Sequence, residues 1–134
     1  MGNPDLKEIV TKYHTIAVVG LSPDQGKASF EVAAYLQRAG YRIIPVNPAC
    51  QEILGEPCYP TLADIPVEVE IVDVFRRSEF LPEIVEQAIA KGAKVVWMQE
   101  GVVNQAAATR AEEAGLAVVM DRCLLKEHHR LASR

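Results

Sequence analysis

The chain has 134 residues, within the range of about 100 to 200 common for one domain, so a single unit over residues 1–134 is the economical expectation. Its 49% hydrophobic, 24% charged and 6% aromatic residues match ordinary globular proteins rather than disordered, fibrous or membrane chains. A formal net charge of -4 supplies no broad basic field for a nucleic-acid backbone, although a local basic pocket can still hold phosphate.

Residues 1–12 are polar and mixed in charge, without the apolar run of a secretory signal. No later segment supplies the roughly 20 apolar residues of a membrane helix, so a cytoplasmic setting away from membranes is expected. Residues 4–13 form an amphipathic opening. Residues 15–20, TIAVVG, are a short apolar run with β-branched members ending at glycine, the pattern of a buried strand. After a polar turn, residues 29–39 place Phe30, Ala33, Ala34 and Leu36 at helical spacing, with Gly40 just past the end. Residues 42–46, RIIPV, form the next strand, and Pro45 points to its C-terminal margin because proline cannot donate to a ladder. Asn47 and Pro48 turn the chain. Residues 52–59 read as a loop-like excursion around Gly55 and Pro57, followed by a brief turn over 60–64.

Residues 69–75, VEIVDVF, are the third strand of the pattern, and residues 82–90 a helix stopped by Gly92. Residues 94–98, KVVWM, a helix over 104–114 capped by Gly115, a strand over 116–120 and a terminal helix over 124–131 complete the order. Strands alternating with helices of about ten residues imply right-handed crossovers and a mostly parallel sheet of about five strands covered on both faces. This is a Rossmann-like three-layer α/β/α layout. Its ligands sit beyond the carboxyl ends of strands, where the strand order reverses, so the residues just after each strand are the candidates.

The loop from Gly20 to Ser29, GLSPDQGKAS, follows a strand and opens a helix. It places Gly20, Ser22, Gly26, Lys27 and Ser29 where backbone amides and the helix dipole favour an anion. The glycines admit close backbone approach, Lys27 adds a mobile positive charge, and Ser29 either caps the helix or donates to a phosphate oxygen. The alternative is a plain loop with an N-cap. A dinucleotide fingerprint needs glycine where Ser22 stands, and an acid rather than Asn47 after the second strand, which disfavours NAD. A Walker A loop fails too, since five residues separate Gly20 from Gly26 and Ala28 follows Lys27.

Three segments carry a family resemblance: AVVGLSPDQGKASFEVAAYLQRAGYRIIPVNP at 17–48, DVFRR at 73–77 and VVWMQEGVVN at 95–104. On these the chain resembles the stand-alone CoA-binding proteins of bacteria and archaea, similar to the N-terminal CoA-binding domain of the succinyl-CoA synthetase alpha subunit. The resemblance implies that the Gly20 to Ser29 loop takes the phosphates of coenzyme A and that Asn47 and Pro48 flank its nucleotide. It also implies that Phe75 and Arg76 lie beside the adenosine or its phosphates, with Gln99, Glu100 and Gly101 closing the site near the pantetheine arm. Each has a structural alternative: Pro48 as a turn residue, Phe75 as core, Arg76 as a solvated charge, Gly101 as a backbone requirement.

The phosphohistidine domain of the synthetase has no counterpart in this sequence, and His14, His128 and His129 do not match its catalytic position. No catalytic residue is assigned. Adjacent His128 and His129 point about 100° apart on a helix, and Cys50, Cys58 and Cys123 are widely spaced, so no metal site is expected. The expectation is a non-catalytic binder of CoA or an acyl-CoA, serving as carrier, sensor or regulatory module. The competing expectation is a small enzyme using NAD(P) or an acyl-CoA. A protein partner is conceivable for so small a unit, but the sequence does not identify one.

Overall fold

Asp5 accepts a hydrogen bond from the Glu8 amide at 3.1 Å and so starts helix α1 (Leu6–Lys12), which turns Ile9 and Val10 inward. The computed structural model describes residues 4–132. Strand β1 (Thr15–Val19), helix α2 (Ala28–Arg38) and strand β2 (Arg42–Val46) follow, then two short strands, β3 (Glu52–Ile53) and β4 (Glu56–Pro57). The rest alternates through β5 (Ile71–Val74), α3 (Leu81–Lys91), β6 (Val95–Met98), α4 (Gln105–Glu113), β7 (Ala117–Val119) and α5 (Leu124–Ala132).

The main sheet has five strands in the order β2-β1-β5-β6-β7, and every pairing is parallel. Strand pleating sends Ala17, Val19, Val72, Val74, Val96 and Met98 to one face, where α3 and α4 cover them. Ile16, Val18, Ile71, Val95 and Trp97 face the other way, under α1, α2 and α5. Strands β5 and β6 are buried at every position because both faces are covered, which explains their continuous apolar character. The Rossmann-like three-layer expectation matches this architecture. From β1 the chain crosses to β2 on one side, whereas β5 pairs on the other, so the strand order reverses between β1 and β5.

Strand β2 keeps the bounds read from the sequence, with Pro45 next to last and level with Val18, on an edge strand where a missing donor is tolerated; other boundaries differ. Tyr59 covers that edge by donating its N–H to the Pro45 carbonyl at 3.0 Å. The excursion at 52–59 contains the antiparallel pair β3 and β4, turned at Leu54 and Gly55 with φ of 57° and 76°. Two successive positive φ values suit the twist of a tight hairpin, but leucine seldom adopts one, so composition concealed the turn. Helix α2 begins at Ala28 with Lys27 as N-cap, so Ser29 lies inside the helix instead of capping it. A 3-10 turn over Ser78–Phe80 leads into α3. Among the described residues no helix is long and apolar enough to cross a membrane.

Candidate functional site

At the switch point the loops leaving β1 and β5 pass in near contact. Gly20 donates its N–H to the Val46 carbonyl at 3.0 Å, and Phe75 donates to the Val19 carbonyl at 2.8 Å. The φ of Gly20 is 86°, and a Cβ there would stand 2.7 Å from the Phe75 oxygen and 2.9 Å from Arg76 Cδ. Only glycine fits this crossing. The Arg76 guanidinium lies over the Phe80 ring, 4.3 Å from its centroid, a cation–π arrangement that steadies the charge at the crest. Asn47 joins the end of β2 to the same loop: its Nδ2 donates to the Leu21 carbonyl at 2.9 Å, while its Oδ1 accepts from the Ala49 amide at 2.8 Å.

Inside the loop, Ser22 donates its amide to Ser29 Oγ at 3.0 Å, Asp24 donates to Ser22 Oγ at 3.0 Å, and Gly26 donates to Asp24 Oδ1 at 2.8 Å. Lys27 donates its amide to the Asp24 carbonyl at 3.0 Å. The amides of Ser22, Gly26 and Lys27 are therefore engaged within the loop, and Ser29, only 6% exposed, serves as an internal brace. The first α2 helical bond runs from Glu31 N–H to the Lys27 carbonyl, leaving Ala28, Ser29 and Phe30 as the amides at the positive end of the helix. The Lys27 side chain is exposed and forms no ion pair with any described residue.

Two cavities flank the Gly20–Arg76 crest, and Arg76 lines both. The first, about 480 Å³, brings Gly20, Asn47 and Pro48 together with Thr61, Phe80 and Glu83 on the α3 side of the sheet. The second, about 430 Å³, is floored by Val32, Phe75 and Cys123 and rimmed by Gln99, Glu100 and Gly101. Gly20, Asn47, Pro48, Phe75, Arg76, Gln99, Glu100 and Gly101 thus line one cavity or the other. Ser22, Gly26, Lys27 and Ser29 line neither; the first three lie in the loop leading into α2 and Ser29 in its first turn. Phe80 escaped the sequence reading, which named Cys123 only as a poor metal ligand and not as part of the site. Phe80, close behind Arg76, offered an aromatic signal, whereas Cys123 reaches the site from a remote segment and offered none.

The turn after β6 is also occupied by protein contacts. Gln99 is 4% exposed and its Oε1 accepts from the Leu124 amide at 3.1 Å. Glu100 pairs with Lys126, which raises the lysine above its usual range, and Gly101, at φ 81°, donates its amide to Asp121 Oδ1 at 2.7 Å. Deeper in the sheet, Asp73 stands level with Val18 and Trp97, and both its carboxylate oxygens are buried without a hydrogen-bond partner. Burial pushes this carboxyl well above the usual carboxylate range.

A glycine crossing at the reversal of strand order, a helix start beside it and a paired cavity make this edge of the sheet the candidate site. Residues 14–129 match the family described as the CoA binding domain. The chain belongs to that family. This CoA-binding domain protein is 43% identical to the protein YneT of Bacillus subtilis over 131 residues, covering 96% of this chain and 97% of YneT. It is 34% identical over 93 residues to the ADP-forming acetate–CoA ligase II of Archaeoglobus fulgidus, covering 68% of this chain and only 14% of the ligase. A solved structure from Pyrococcus horikoshii OT3 superposes with a TM-score of 0.94 at 46% identity, over 98% of this chain and 93% of that one.

Proposed function

We propose that this chain, acting as one unit over residues 1–134 in a cytoplasmic setting, binds coenzyme A or an acyl-CoA without turning it over, as a carrier, sensor or regulatory module. The observation that carries this reading is the Gly20–Arg76 crest with a cavity on each side, in a member of the CoA-binding domain family. Coenzyme A is a long molecule with a nucleotide end, a charged diphosphate and a pantetheine arm, so a divided site suits it. The nucleotide is assigned to the cavity of Asn47 and Pro48, with the Phe80 ring nearby. The diphosphate is assigned to the crest, facing Arg76, Lys27 and the first amides of α2. The pantetheine arm then takes the cavity of Phe75, Gln99, Glu100 and Gly101. Glu83 and Glu100 are the anionic rims, which keep the phosphates near the crest between them.

The NAD-type alternative needs an acid beyond the second strand for the ribose. Asn47 stands there, and its amide group is committed to Leu21 and Ala49.

Calorimetric titration of nucleotide-free protein with CoA tests the proposal, with dephospho-CoA and NAD as controls. Saturable CoA binding, weaker for both controls, is expected. Lys27→Ala should weaken CoA about fivefold, the upper end for one exposed charge contact, with the unfolding midpoint unchanged. No heat at millimolar CoA, or a preference for NAD, would retire the reading. Equal affinity in the variant would remove Lys27 from the site.

A further inference from the structure

Gln99, Glu100 and Gly101 are each held by the segment that follows β7. Gln99 Oε1 accepts from the Leu124 amide, both carboxylate oxygens of Glu100 accept from Lys126 Nζ at 3.1 Å, and the Gly101 amide donates to Asp121 Oδ1. Trp97 Nε1 donates to the Arg122 carbonyl at 2.8 Å, pinning the same segment to the sheet. Cys123, between these anchors, forms part of the second cavity floor. Farther along α5, Tyr35 Oη of α2 meets His128 Nδ1 at 2.8 Å, and the Tyr41 ring packs edge-on 5.5 Å from the same imidazole.

From this arrangement we infer that residues 121–132 form an autoinhibitory strap, which a ligand entering the second cavity displaces from Gln99, Glu100 and Gly101. The inference rests on the CoA reading above, because the pantetheine arm carries amide groups that seek the donors and acceptors the strap now holds. A ligand and the strap cannot both use one Gly101 amide or one Gln99 oxygen at full strength. The polar end of the strap over the turn is lightly held, because its Lys126–Glu100 pair is 66% and 55% exposed. Cys123 and Leu124 are its buried residues, with Leu125 and Leu131 packed half-buried against the core. Exposed pairs contribute little, and segments with few buried contacts open locally well before the whole fold does.

Docking and ligand binding are then linked, and the linkage is reciprocal. If the competent state is the minor, undocked one, apparent affinity scales with its population, so weakening the strap tightens binding. Tyr35 lines neither cavity, and Tyr35→Phe deletes the hydroxyl that meets His128 without altering charge. Lys126→Ala releases the other end of the contact.

The full chain and both variants would be titrated with CoA by calorimetry, while the emission of Trp97, the single tryptophan, is followed in parallel. Each variant should bind CoA about two- to tenfold more tightly, as expected for loss of one hydrogen bond or weak ion pair from the competing state. Saturating CoA should change Trp97 emission in the wild type, because the indole N–H loses the Arg122 carbonyl. Saturable CoA heat with neither variant tighter, or with CoA slowing amide exchange in α5, overturns the strap and leaves the CoA reading standing. No CoA heat in any of the three proteins overturns the CoA reading itself, and the strap with it.

Discussion

A methyl group on Gly20 would meet the Phe75 carbonyl at 2.7 Å, on a backbone that holds φ at 86°. Gly20→Ala must therefore part the two loops or twist the end of β1, and strain of this kind costs about 1–3 kcal/mol. The expected outcome is a lower urea midpoint together with weaker CoA binding, since Arg76 Cδ lies 2.9 Å from the same point and shifts with it. A variant with wild-type stability and affinity would show that the crossing tolerates a side chain. Asp73 poses the opposite problem, a polar group where the surroundings are apolar. Its folded pKa is raised above the usual 3.8 by burial, so the native state keeps a proton that the unfolded chain releases. That contribution to stability is complete below about pH 3.8 and declines as pH rises toward the folded pKa, by up to about 1.4 kcal/mol per pH unit. Asp73→Val should flatten this decline and raise stability at neutral pH, as measured by denaturation between pH 4 and 7. Parallel curves for the two proteins would mean that the carboxyl is not the source of the slope. Sequence reading reached Gly20 because glycine after a strand has a local cause, but it gave Asp73 no role of its own within the segment 73–77, because isolation depends on Val18 and Trp97 from neighbouring strands.

Asn104 shows how one cap joins two helices. Its Oδ1 accepts from the Ala107 amide at 3.0 Å to start α4, while its Nδ2 donates to the Ser78 carbonyl at 3.1 Å at the entrance to α3. Asn104→Ala removes both bonds and should lower stability by about 1 kcal/mol, seen as a falling urea midpoint at constant slope. A midpoint within error of the wild type would show that water replaces the cap without cost. The sequence reading counted Asn104 as the first helical residue rather than as the cap, whereas the stop of α3 at Gly92 was readable, and its φ of 81° is left-handed. Strand β1 and strand β6 were readable for a related reason: short β-branched runs buried on both faces leave a pattern that needs no knowledge of the partner. The β3–β4 hairpin was not, since Leu54 takes a positive φ against its intrinsic preference. For the site, the family resemblance pointed to Phe75, Arg76 and the 99–101 turn, and their places at or after strand ends set them at one sheet edge. What it concealed was competition: the Asp24 carboxylate holds the Gly26 amide, and residues 121–126 occupy the turn after β6, both being matters of long-range or side-chain geometry.

The two core clusters lie on opposite faces of one sheet, and the candidate site rests on the ends of β1, β2, β5 and β6. Those ends come together only when the sheet is assembled, so a ligand held there recognises the native state and not the unfolded chain. Linkage then requires CoA to raise the unfolding temperature in proportion to the logarithm of its concentration above Kd. At a hundredfold excess over Kd the stabilisation is about 2.7 kcal/mol. For a chain of this size each kcal/mol moves Tm by about 3–5 °C, so a rise of about 8–13 °C is expected. Dephospho-CoA, if it binds more weakly, should give a smaller shift at equal concentration. Scanning calorimetry at several CoA concentrations makes the test, and the strap imposes a further condition on it. Because displacing residues 121–132 consumes part of the gross binding energy, Tyr35→Phe should start from a lower Tm without ligand and gain more degrees than the wild type at equal CoA. Identical gains would separate the strap from the site. A Tm that stays fixed at concentrations where titration shows saturation would mean that CoA does not distinguish folded from unfolded chain, and its placement across the carboxyl edge of the sheet would fall.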